Sequence, residues 1–377
     1  MIRPTVATVR LDAIQANLRA IRALLGAGAA GGAAAPDVLA VVKANAYGHG
    51  AVEVGRALEA AGATTLACAD IAEGVALRQA GIRAAILVFG ALSVSELDGV
   101  FDHLLTPTVS SPGAAQALER AAAARRLRIG CHLKIDTGMN RLGFRHDNLG
   151  RTIPPVLASP HLSIDAVYTH FATADRPESP LLDEQRARFD RALAALGALG
   201  LPVARRHAAG SAALLRDTRT WYDAVRPGLL LYGIVPPPLA AADLALGPAL
   251  SLASRIVAVK GVRAGEGIGY GMGAAADEPR SVAIVPAGYA DGLDTRLSGR
   301  GSALVGGRRV PIVGAVSMDM LALDVTGLDA SPGDEVVFIG RQGGDEITVR
   351  EMAGAVGMIP WEVVCRLGSR IQRVFAA

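Results

Sequence analysis

The sequence has few of the residues that would indicate a disulfide scaffold, a zinc site or a nucleic-acid surface. Its three cysteines, Cys68, Cys131 and Cys365, are far apart and show no Cys-x-x-Cys spacing. Neither a disulfide framework nor a metal site is therefore predicted, and this cysteine pattern is consistent with a protein of a reducing compartment. The net charge is only +3, without a run of like charges, which disfavours a nucleic-acid groove or a basic membrane patch.

Aromatic residues and long apolar runs are also scarce. The chain is 51% hydrophobic, but aromatic residues make up only 4% of it. Alanine supplies much of the remaining apolar fraction. The uncharged stretch 23–36 consists mostly of small residues, which contribute little membrane-transfer energy. Residues 1–5 lack the apolar core of a secretory signal. We therefore expect a cytoplasmic protein, and its 377 residues predict two domains.

Eight short apolar segments lie in the first 240 residues, each followed by a helical pattern. The predicted strands are Val38–Val42, Thr65–Cys68, Ala85–Phe89, His103–Leu105, Arg128–Ile135, Ser163–Tyr168, Val203–His207 and Tyr222–Val225. The helices include those near Ser93–Leu97, Asn148–Ala158 and Leu182–Leu196. Alternating strands and helices indicate a parallel sheet, and eight units favour a closed (β/α)8 TIM-type barrel in an α/β fold. An open doubly wound sheet is the alternative.

The pattern changes after Pro236-Pro237-Pro238 to strands and glycine turns without long helices. Strands are predicted at Ser281–Pro286, Ser302–Val305, Arg309–Val313, Leu321–Val325 and Glu335–Ile339, before a helix near Val349–Gly357. This indicates a barrel over residues 1–240 and a C-terminal mainly β domain over 241–377. The first strand, at about residues 3–10, is a candidate to pair with the second domain.

The segment most suggestive of chemistry is 41–50, VVKANAYGHG, in which an apolar strand ends at Lys43. A lysine just past a parallel barrel strand lies at the C-terminal mouth, where the active sites of barrel enzymes occur. Its amine can form an imine with an aldehyde cofactor. A solvated lysine at a strand end is the ordinary interpretation of this residue by itself.

This decapeptide resembles the cofactor-lysine signature of the alanine racemase family, whose members are bacterial, pyridoxal 5′-phosphate-dependent enzymes of fold type III. Further segments resemble the same family in the same order: Lys134–Gly143, Thr169–Asp175, Arg226–Gly228, Gly269–Gly271, Gly288–Gly292 and Ser317–Asp319. The resemblance spans nearly the whole chain, and several ordered motifs are more specific than one. It implies a cofactor-binding barrel followed by a β domain.

The resemblance implies an alanine racemase activity with two bases on opposite faces of the substrate. Lys43 serves one face and Tyr270 the other, with His170 and Arg226 in the chain that polarises the tyrosine. In the family this tyrosine reaches the site of the partner subunit, which implies a homodimer with composite sites; the sequence alone leaves closure within one chain open. The product D-alanine would supply peptidoglycan of the cell wall.

Further site residues are implied by the same resemblance. Arg226 is expected at the pyridine nitrogen, where a group that cannot accept a hydrogen bond leaves that nitrogen unprotonated. Tyr47, Ser211, Gly228 and Leu229 are expected to bind the phosphate, the last two through backbone N–H groups.

The substrate side of the implied site includes Arg141, Tyr289 and Met318. Lys134 is expected to be carbamylated, so that its carbamate positions Arg141, although a lysine that merely extends to water is the ordinary alternative.

Three residues depart from the family pattern. Ser369 stands where tyrosine often contributes to phosphate binding, Gly210 stands where asparagine is common, and Ser317 replaces a frequent cysteine. None of them removes a base.

Other functions compete with this interpretation. A racemase of serine or of many amino acids differs little in sequence, because a methyl and a hydroxymethyl group differ by little binding energy. A decarboxylase of the same barrel class would need different C-terminal motifs. A non-catalytic homeostasis protein that binds the same cofactor would resemble the barrel alone. The glycine-rich run 265–271 does not fit G-x-G-x-x-G, so a nucleotide loop is not predicted.

Overall fold

Secondary structure is described for residues 3–28, 34–92, 97–241, 244–272 and 277–377 of a computed structural model. The strands are β1 (Val6–Arg10), β2 (Asp37–Val41), β3 (Thr65–Cys68), β4 (Ala85–Val88), β5 (Thr106–Val109), β6 (Ile129–Asp136), β7 (Phe144–Arg145), β8 (Leu162–Tyr168), β9 (Arg206–Gly210), β10 (Ala224–Arg226), β11 (Leu250–Arg255), β12 (Ala258–Val262), β13 (Arg280–Val285), β14 (Ser302–Val305), β15 (Arg308–Val313), β16 (Leu321–Asp324), β17 (Glu335–Gln342), β18 (Asp345–Ile347) and β19 (Gln372–Ala376). The α-helices are α1 (Leu11–Gly28), α2 (Lys43–Tyr47), α3 (Ala51–Ala60), α4 (Ile71–Gln79), α5 (Asp98–Asp102), α6 (Pro112–Ala124), α7 (Leu149–Thr152), α8 (Pro154–Leu157), α9 (Leu181–Ala198), α10 (Ser211–Arg216), α11 (Val349–Val356) and α12 (Pro360–Cys365).

The chain divides into two compact units. The barrel unit comprises Ile14–Ala46 and Ala51–Gly247, and the C-terminal unit comprises Met1–Ala13, Tyr47–Gly50 and Pro248–Ala377. The division after Gly247 lies a few residues beyond the predicted one. The N-terminal strand and the four residues from Tyr47 belong to the C-terminal unit, which a division at a single point in the sequence does not capture.

The barrel unit is a closed parallel barrel. Its strands follow the order β5-β4-β3-β2-β10-β9-β8-β6, with β7 beside β6. A parallel pairing of β5 with β6, at Thr108 with His132, joins the two ends of this order. The predicted fold class is therefore confirmed, and the open doubly wound sheet is excluded. All four residues of β3 are buried, as expected for a strand that is covered on both faces.

Several predicted elements are shifted or broken. The fourth strand begins at Thr106 rather than His103, because His103 caps α5 and Leu104 turns with φ 51°. The strand predicted at Val203–His207 also begins about three residues later, as β9.

The helix predicted over Asn148–Ala158 is two short helices, α7 and α8. Pro154 begins the second helix, since proline fits a first turn but not a helix interior. Of the helix predicted near Ser93–Leu97, residues 93–96 lie outside the described residues.

The C-terminal unit is a largely antiparallel sheet in the order β12-β13-β16-β15-β14-β17-β11-β1-β19, and β18 pairs with β17. The N-terminal strand β1 lies within it, antiparallel to β11 and parallel to β19. Leu304, Val337 and Ile347 form part of its buried core. These residues lie in β14, β17 and β18, and Leu304 is directly opposite Val337, so packing between neighbouring strands stabilises the sheet.

Helix α1 shows how the helices of the barrel unit are stabilised. Its residues Ile14, Leu18, Ile21 and Leu25 are fully buried, and their spacing of three or four places them on one helix face. Among the described helices, none is long and apolar enough to cross a membrane.

Packing predicts a contrast between two phenylalanines of the C-terminal sheet. Phe338 in β17 is fully buried, whereas Phe375 in β19 is 38% exposed. Phe338→Ala should lower the free energy of unfolding by about 3–5 kcal/mol because it leaves a cavity. Phe375→Ala is the matched control and should cost clearly less. Urea unfolding of both variants measures this, and equal losses would contradict the assignment of Phe338 to the core.

Candidate active site

Four of the predicted site residues lie at one end of the barrel. Lys43 follows β2, Lys134 lies near the end of β6, His170 follows β8 and Arg226 ends β10. Because all these strands are parallel, their carboxyl ends share one edge of the barrel. Electrostatic interactions join the four residues and Arg141. The predicted convergence of these residues is therefore present within the barrel unit.

The short element α2 is not a right-handed helix, because the backbone after Lys43 forms a left-handed turn. Ala44, Asn45 and Ala46 have φ/ψ near 52°/54°, 53°/46° and 54°/52°, and Tyr47 and Gly48 also have positive φ. Non-glycine residues in this conformation cost about 1–2 kcal/mol each. Such strain persists where the surroundings over-determine it, and it is concentrated at functional sites.

The guanidinium of Arg226 is the most enclosed charge of the site. The residue is 4% exposed, and burial lowers the pKa of Arg226 to about 10. Its Nη2 donates to the carbonyls of Thr169 and Ala208, at 2.8 Å each, and to His170 Nδ1 at 3.0 Å. Its Nη1 donates to His207 Nδ1 at 2.8 Å and keeps a second N–H, for which the described residues offer no acceptor.

These contacts assign the protons of the neighbouring histidines. Arginine only donates, so Nδ1 of both His170 and His207 must accept, and each ring carries its proton on Nε2. His207 Nε2 then donates to His132 Nδ1 at 3.0 Å. Burial, followed by the charge of Arg226, lowers the pKa of His170 and His207 well below the usual value. His170 is therefore a neutral ring with an Nε2–H donor.

Lys134 is a buried amine among cations. It is 6% exposed, and its Nζ lies 5.3 Å from the ring centroid of Tyr168. Burial, followed by the charges of Arg226 and Arg141, lowers the pKa of Lys134 to about 8. A substantial fraction of this amine is therefore neutral, and so nucleophilic, near physiological pH.

The expected phosphate-binding residues of the barrel unit are adjacent. The hydroxyl oxygen of Ser211 accepts the N–H of Gly228 at 3.0 Å and that of Leu230 at 3.4 Å, which brings the turn at Leu229–Tyr232 against the start of α10. A Cβ at Gly210 would lie 3.0 Å from Cε1 of His170. The glycine at this position therefore leaves room for the histidine.

Arg141 lies in a loop organised by Asp136. The carboxylate of Asp136 accepts the N–H groups of Gly138 and Asn140 at 2.9 and 3.1 Å, and Asn140 has φ 55°. The loop presents Arg141 as an exposed side chain whose charge still acts on Lys134.

The remaining predicted residues lie in the C-terminal unit. Tyr270 is 80% exposed in a short turn between glycines, and Tyr289 and Met318 are 45% and 51% exposed. The N–H of Tyr289 donates to the carbonyl of Ser317 at 2.9 Å. A Cβ at Gly288 would lie 2.4 Å from the carbonyl oxygen of Met318, so glycine is required for this close approach.

Tyr47 and Ser369 also belong to the C-terminal unit. Burial raises the pKa of the Tyr47 phenol, and Ser369 is exposed.

Sequence reasoning missed three supporting residues of the barrel unit. Buried Gln185 in α9 donates to the carbonyl of His170 at 3.1 Å and to Thr137 Oγ1 at 3.2 Å. His207 orients Arg226, and Glu73 accepts two backbone N–H groups, one of them from Ala44. A glutamine on an amphipathic helix gives no signal in a single sequence, because its partners are distant along the chain.

The fold and the site define a two-domain barrel enzyme with an amine-bearing, cationic site at the barrel mouth. A family model described as alanine racemase, N-terminal domain, matches residues 9–236, and one described as alanine racemase, C-terminal domain, matches residues 249–375. The chain therefore belongs to the alanine racemase family, and it is a racemase, an isomerase. A match over the second domain is not expected of a protein that resembles the barrel alone.

Known proteins support this assignment over the full length. The alanine racemase of Symbiobacterium thermophilum is 41% identical over 99% of this chain and 97% of its own. An alanine racemase structure from Bacillus anthracis, with bound L-Ala-P, has a TM-score of 0.92 at 35% identity and covers 100% of this chain and 95% of its own. One from Bartonella henselae, with covalently bound pyridoxal phosphate, has a TM-score of 0.87 at 26% identity and covers 99% of each chain.

Lys134 gives a test of the site's electrostatics. Its folded pKa of about 8 lies below the ordinary 10.5. Between these values the folded chain has lost a proton from Lys134 that the unfolded chain keeps, so the contribution of Lys134 to stability rises with pH, by up to about 3 kcal/mol. Burial raises the pKa of the Cys68 and Cys131 thiols, which act in the opposite direction over the same range, so the test is a difference between proteins. In carbon-dioxide-free buffer without cofactor, the free energy of unfolding of the wild type minus that of Lys134→Met should increase with pH, whereas the difference from exposed Lys260→Met, the control, should stay constant. A difference from Lys134→Met that does not change with pH would contradict the shift. Urea unfolding at pH 7.5 to 10.5 measures both.

Proposed function

We propose that this protein interconverts L-alanine and D-alanine with pyridoxal 5′-phosphate held by Lys43, and that Tyr270 of the partner subunit is the second base. The observation that carries the proposal is the placement of the Lys43 amine at the barrel mouth among Lys134, His170 and Arg226. The D-alanine would supply peptidoglycan synthesis in the cytoplasm.

The donor set of the barrel unit suits an anionic aldehyde cofactor. Lys43 offers an amine, and the charges that act most strongly on Lys134 are those of the cations Arg226, Arg141 and Lys43 and of the carboxylate of Asp136. The turn of Gly228 and Leu229, with the Ser211 hydroxyl, offers donors for a phosphate. Tyr47, four residues after Lys43, would add its hydroxyl. An anion would offset the mutual repulsion of the cations.

Arg226 would face the pyridine nitrogen. Its Nη1 keeps an N–H beyond the one given to His207, and a guanidinium has no lone pair to accept a proton. The nitrogen would therefore remain unprotonated, which limits electron withdrawal and disfavours side reactions such as transamination.

The bound cofactor would act as an electron sink that makes the α-proton of the amino acid acidic. Lys43, once its amine is released from the cofactor, would hold or give up a proton on one face of the α-carbon. Racemisation needs a second group that exchanges a proton on the opposite face. Tyr270 fits this role because a phenol can accept and return a proton when a donor stabilises its anion. The Nε2–H of His170 is such a donor.

Tyr270 would serve this role in a homodimer. Its turn and the nearby segments of the C-terminal unit expose large apolar side chains, among them Tyr270 at 80%, Met272 at 66%, Tyr289 at 45%, Met318 at 51% and Met320 at 47%. Exposed apolar side chains of this number indicate an interaction surface. A two-fold dimer would create two composite sites, with the partner's Tyr289 and the backbone N–H of the partner's Met318 on the substrate side.

Lys134 would act as a carbamate. The neutral amine attacks carbon dioxide, forms a nitrogen–carbon bond and releases one proton, which leaves an anion in place of a cation. The lowered pKa of Lys134 favours this step. The carbamate would pair with Arg141, which lies within electrostatic range, and orient its guanidinium toward the cofactor oxygen and the substrate carboxylate.

The central test is chemical trapping at Lys43. The chain has three lysines, Lys43, Lys134 and Lys260, so borohydride reduction in the presence of the cofactor, followed by peptide mass mapping, identifies the bonded one. We expect the mass on Lys43, and Lys43→Ala should lose both the visible absorbance band and L-alanine racemisation, by about a thousandfold or more. Lys260→Ala is the control and should be unaffected.

The same assay with L-serine measures the breadth of specificity. A modification on Lys134 or Lys260, or no absorbance band in the wild-type protein, would contradict the proposal.

Subunit mixing tests the composite site. Lys43→Ala and Tyr270→Phe dimers, each inactive, should after exchange regain about a quarter of wild-type activity, because half of the dimers are hybrids and each hybrid has one complete site. Lys43→Ala mixed with Arg226→Ala is the control and should regain nothing, since both residues belong to the same barrel. The readout is alanine racemisation, with hybrid formation confirmed by mass. No recovery would place both bases in one chain.

A further inference from the structure

Glu73 joins the ends of two neighbouring barrel strands at the site. Its Oε1 accepts the N–H of Ala44 at 2.6 Å, and its Oε2 accepts the N–H of Ala69 at 2.7 Å. Ala44 directly follows Lys43, and Ala69 directly follows β3. Strands β2 and β3 are paired in parallel, with Val41 opposite Ala67. One carboxylate therefore connects the residue after Lys43 to the adjacent strand.

The carboxylate is itself held in place. Glu73 lies in the first turn of α4, and its own N–H donates to Asp70 Oδ1, the N-cap of that helix, at 2.9 Å. The helix fixes the direction from which the side chain approaches. Glu73 thus anchors the backbone beside Lys43 to helix α4.

The turn after Lys43 needs an external constraint. Alanines avoid the left-handed region, yet Ala44 and Ala46 both adopt it. Asn45 tolerates the conformation better, and its Oδ1 accepts the N–H of Ala51 at 2.8 Å. At Ala44, where the left-handed path begins, Glu73 supplies the acceptor. Charge-assisted hydrogen bonds to a carboxylate are the stronger kind.

We propose that Glu73 is a positioning residue that holds the Lys43 backbone in its left-handed turn and so aims the amine for cofactor bonding and proton transfer. The inference rests on the proposed function of Lys43 and adds a residue that acts through it. Without the carboxylate, the turn can relax to ordinary dihedral angles, which would redirect the side chain at the start of the turn.

The experiment compares Glu73→Gln and Glu73→Ala with Glu59→Ala. The glutamine substitution would keep one acceptor oxygen and set an NH₂ donor against the second N–H, whereas the alanine substitution removes both acceptors. Glu59 is the matched control, because its Oε1 also accepts two backbone N–H groups, from Arg83 and Ala84 at 2.8 and 2.6 Å, before β4.

Two readouts separate positioning from stability. In the apoprotein, amide hydrogen exchange at Ala44 and Ala69 should accelerate by about tenfold in Glu73→Ala. In the holoenzyme, the cofactor dissociation constant should rise by about tenfold or more, and kcat should fall more than KM rises, with the glutamine variant intermediate. Glu59→Ala removes an acceptor of two N–H groups and should lower the melting temperature comparably to Glu73→Ala, but leave exchange at Ala44, the dissociation constant and kcat unchanged.

The proposal is overturned if Glu73→Gln and Glu73→Ala keep the wild-type dissociation constant and kcat within about twofold, whether or not exchange accelerates. It is also overturned if Glu59→Ala weakens cofactor binding equally. Should the alanine variant not fold, the glutamine variant decides. Failure of the proposed function gives a different result, because the wild-type protein would then form no covalent link at Lys43, while amide exchange at Ala44 still reports the contact.

Discussion

A buried guanidinium that can only donate hydrogen bonds determines the protonation of the groups around it in this barrel. Arg226 gives N–H groups to His170 and His207, so both rings must present a lone pair at Nδ1. Burial and the positive charge together oppose protonation of these rings. Each of the two rings is therefore neutral and has its N–H donor at Nε2. His207 Nε2 in turn donates to His132 Nδ1. A residue at position 226 that could also accept hydrogen bonds would not fix the position of the proton on these two rings.

The same arrangement crowds cations at the barrel mouth, where Asp136 is the carboxylate that opposes their effect on Lys134. Such destabilising groups are typical of functional sites, and a phosphate, a carboxylate or a carbamate would each relieve the repulsion. The distribution of lysine supports a functional role for this site. Only three of the 38 lysines and arginines are lysines, and two of these, Lys43 and Lys134, lie at the barrel mouth. An arginine remains protonated, whereas a buried lysine can lose its proton and act as a nucleophile.

How much of this could be predicted from the sequence depends on the distance between interacting residues. The barrel, the β domain and the position of Lys43 follow from local patterns, because strand periodicity and a strand-terminal lysine are visible within a few residues. The start of β5 differs from the prediction because the turn at Leu104 depends on a left-handed residue that propensity does not predict. The histidine tautomers, Gln185 and Glu73 depend on contacts across the fold, such as the one between Ala44 and Glu73. No single-sequence pattern reports these contacts.

Under the proposed mechanism, the two bases differ in how the structure supports them. Lys43 is constrained by its own unit, through a strained turn whose amide is bound by Glu73. Tyr270 lies in an exposed turn next to glycines with positive φ, Gly269 and Gly271, and its own unit gives the side chain little packing. A base that exchanges protons at a fixed distance needs a defined position. For Lys43 the fold of one chain supplies that position, whereas for Tyr270 the proposed assembly with a second copy would supply it. Association would therefore order the second base as well as add it to the site.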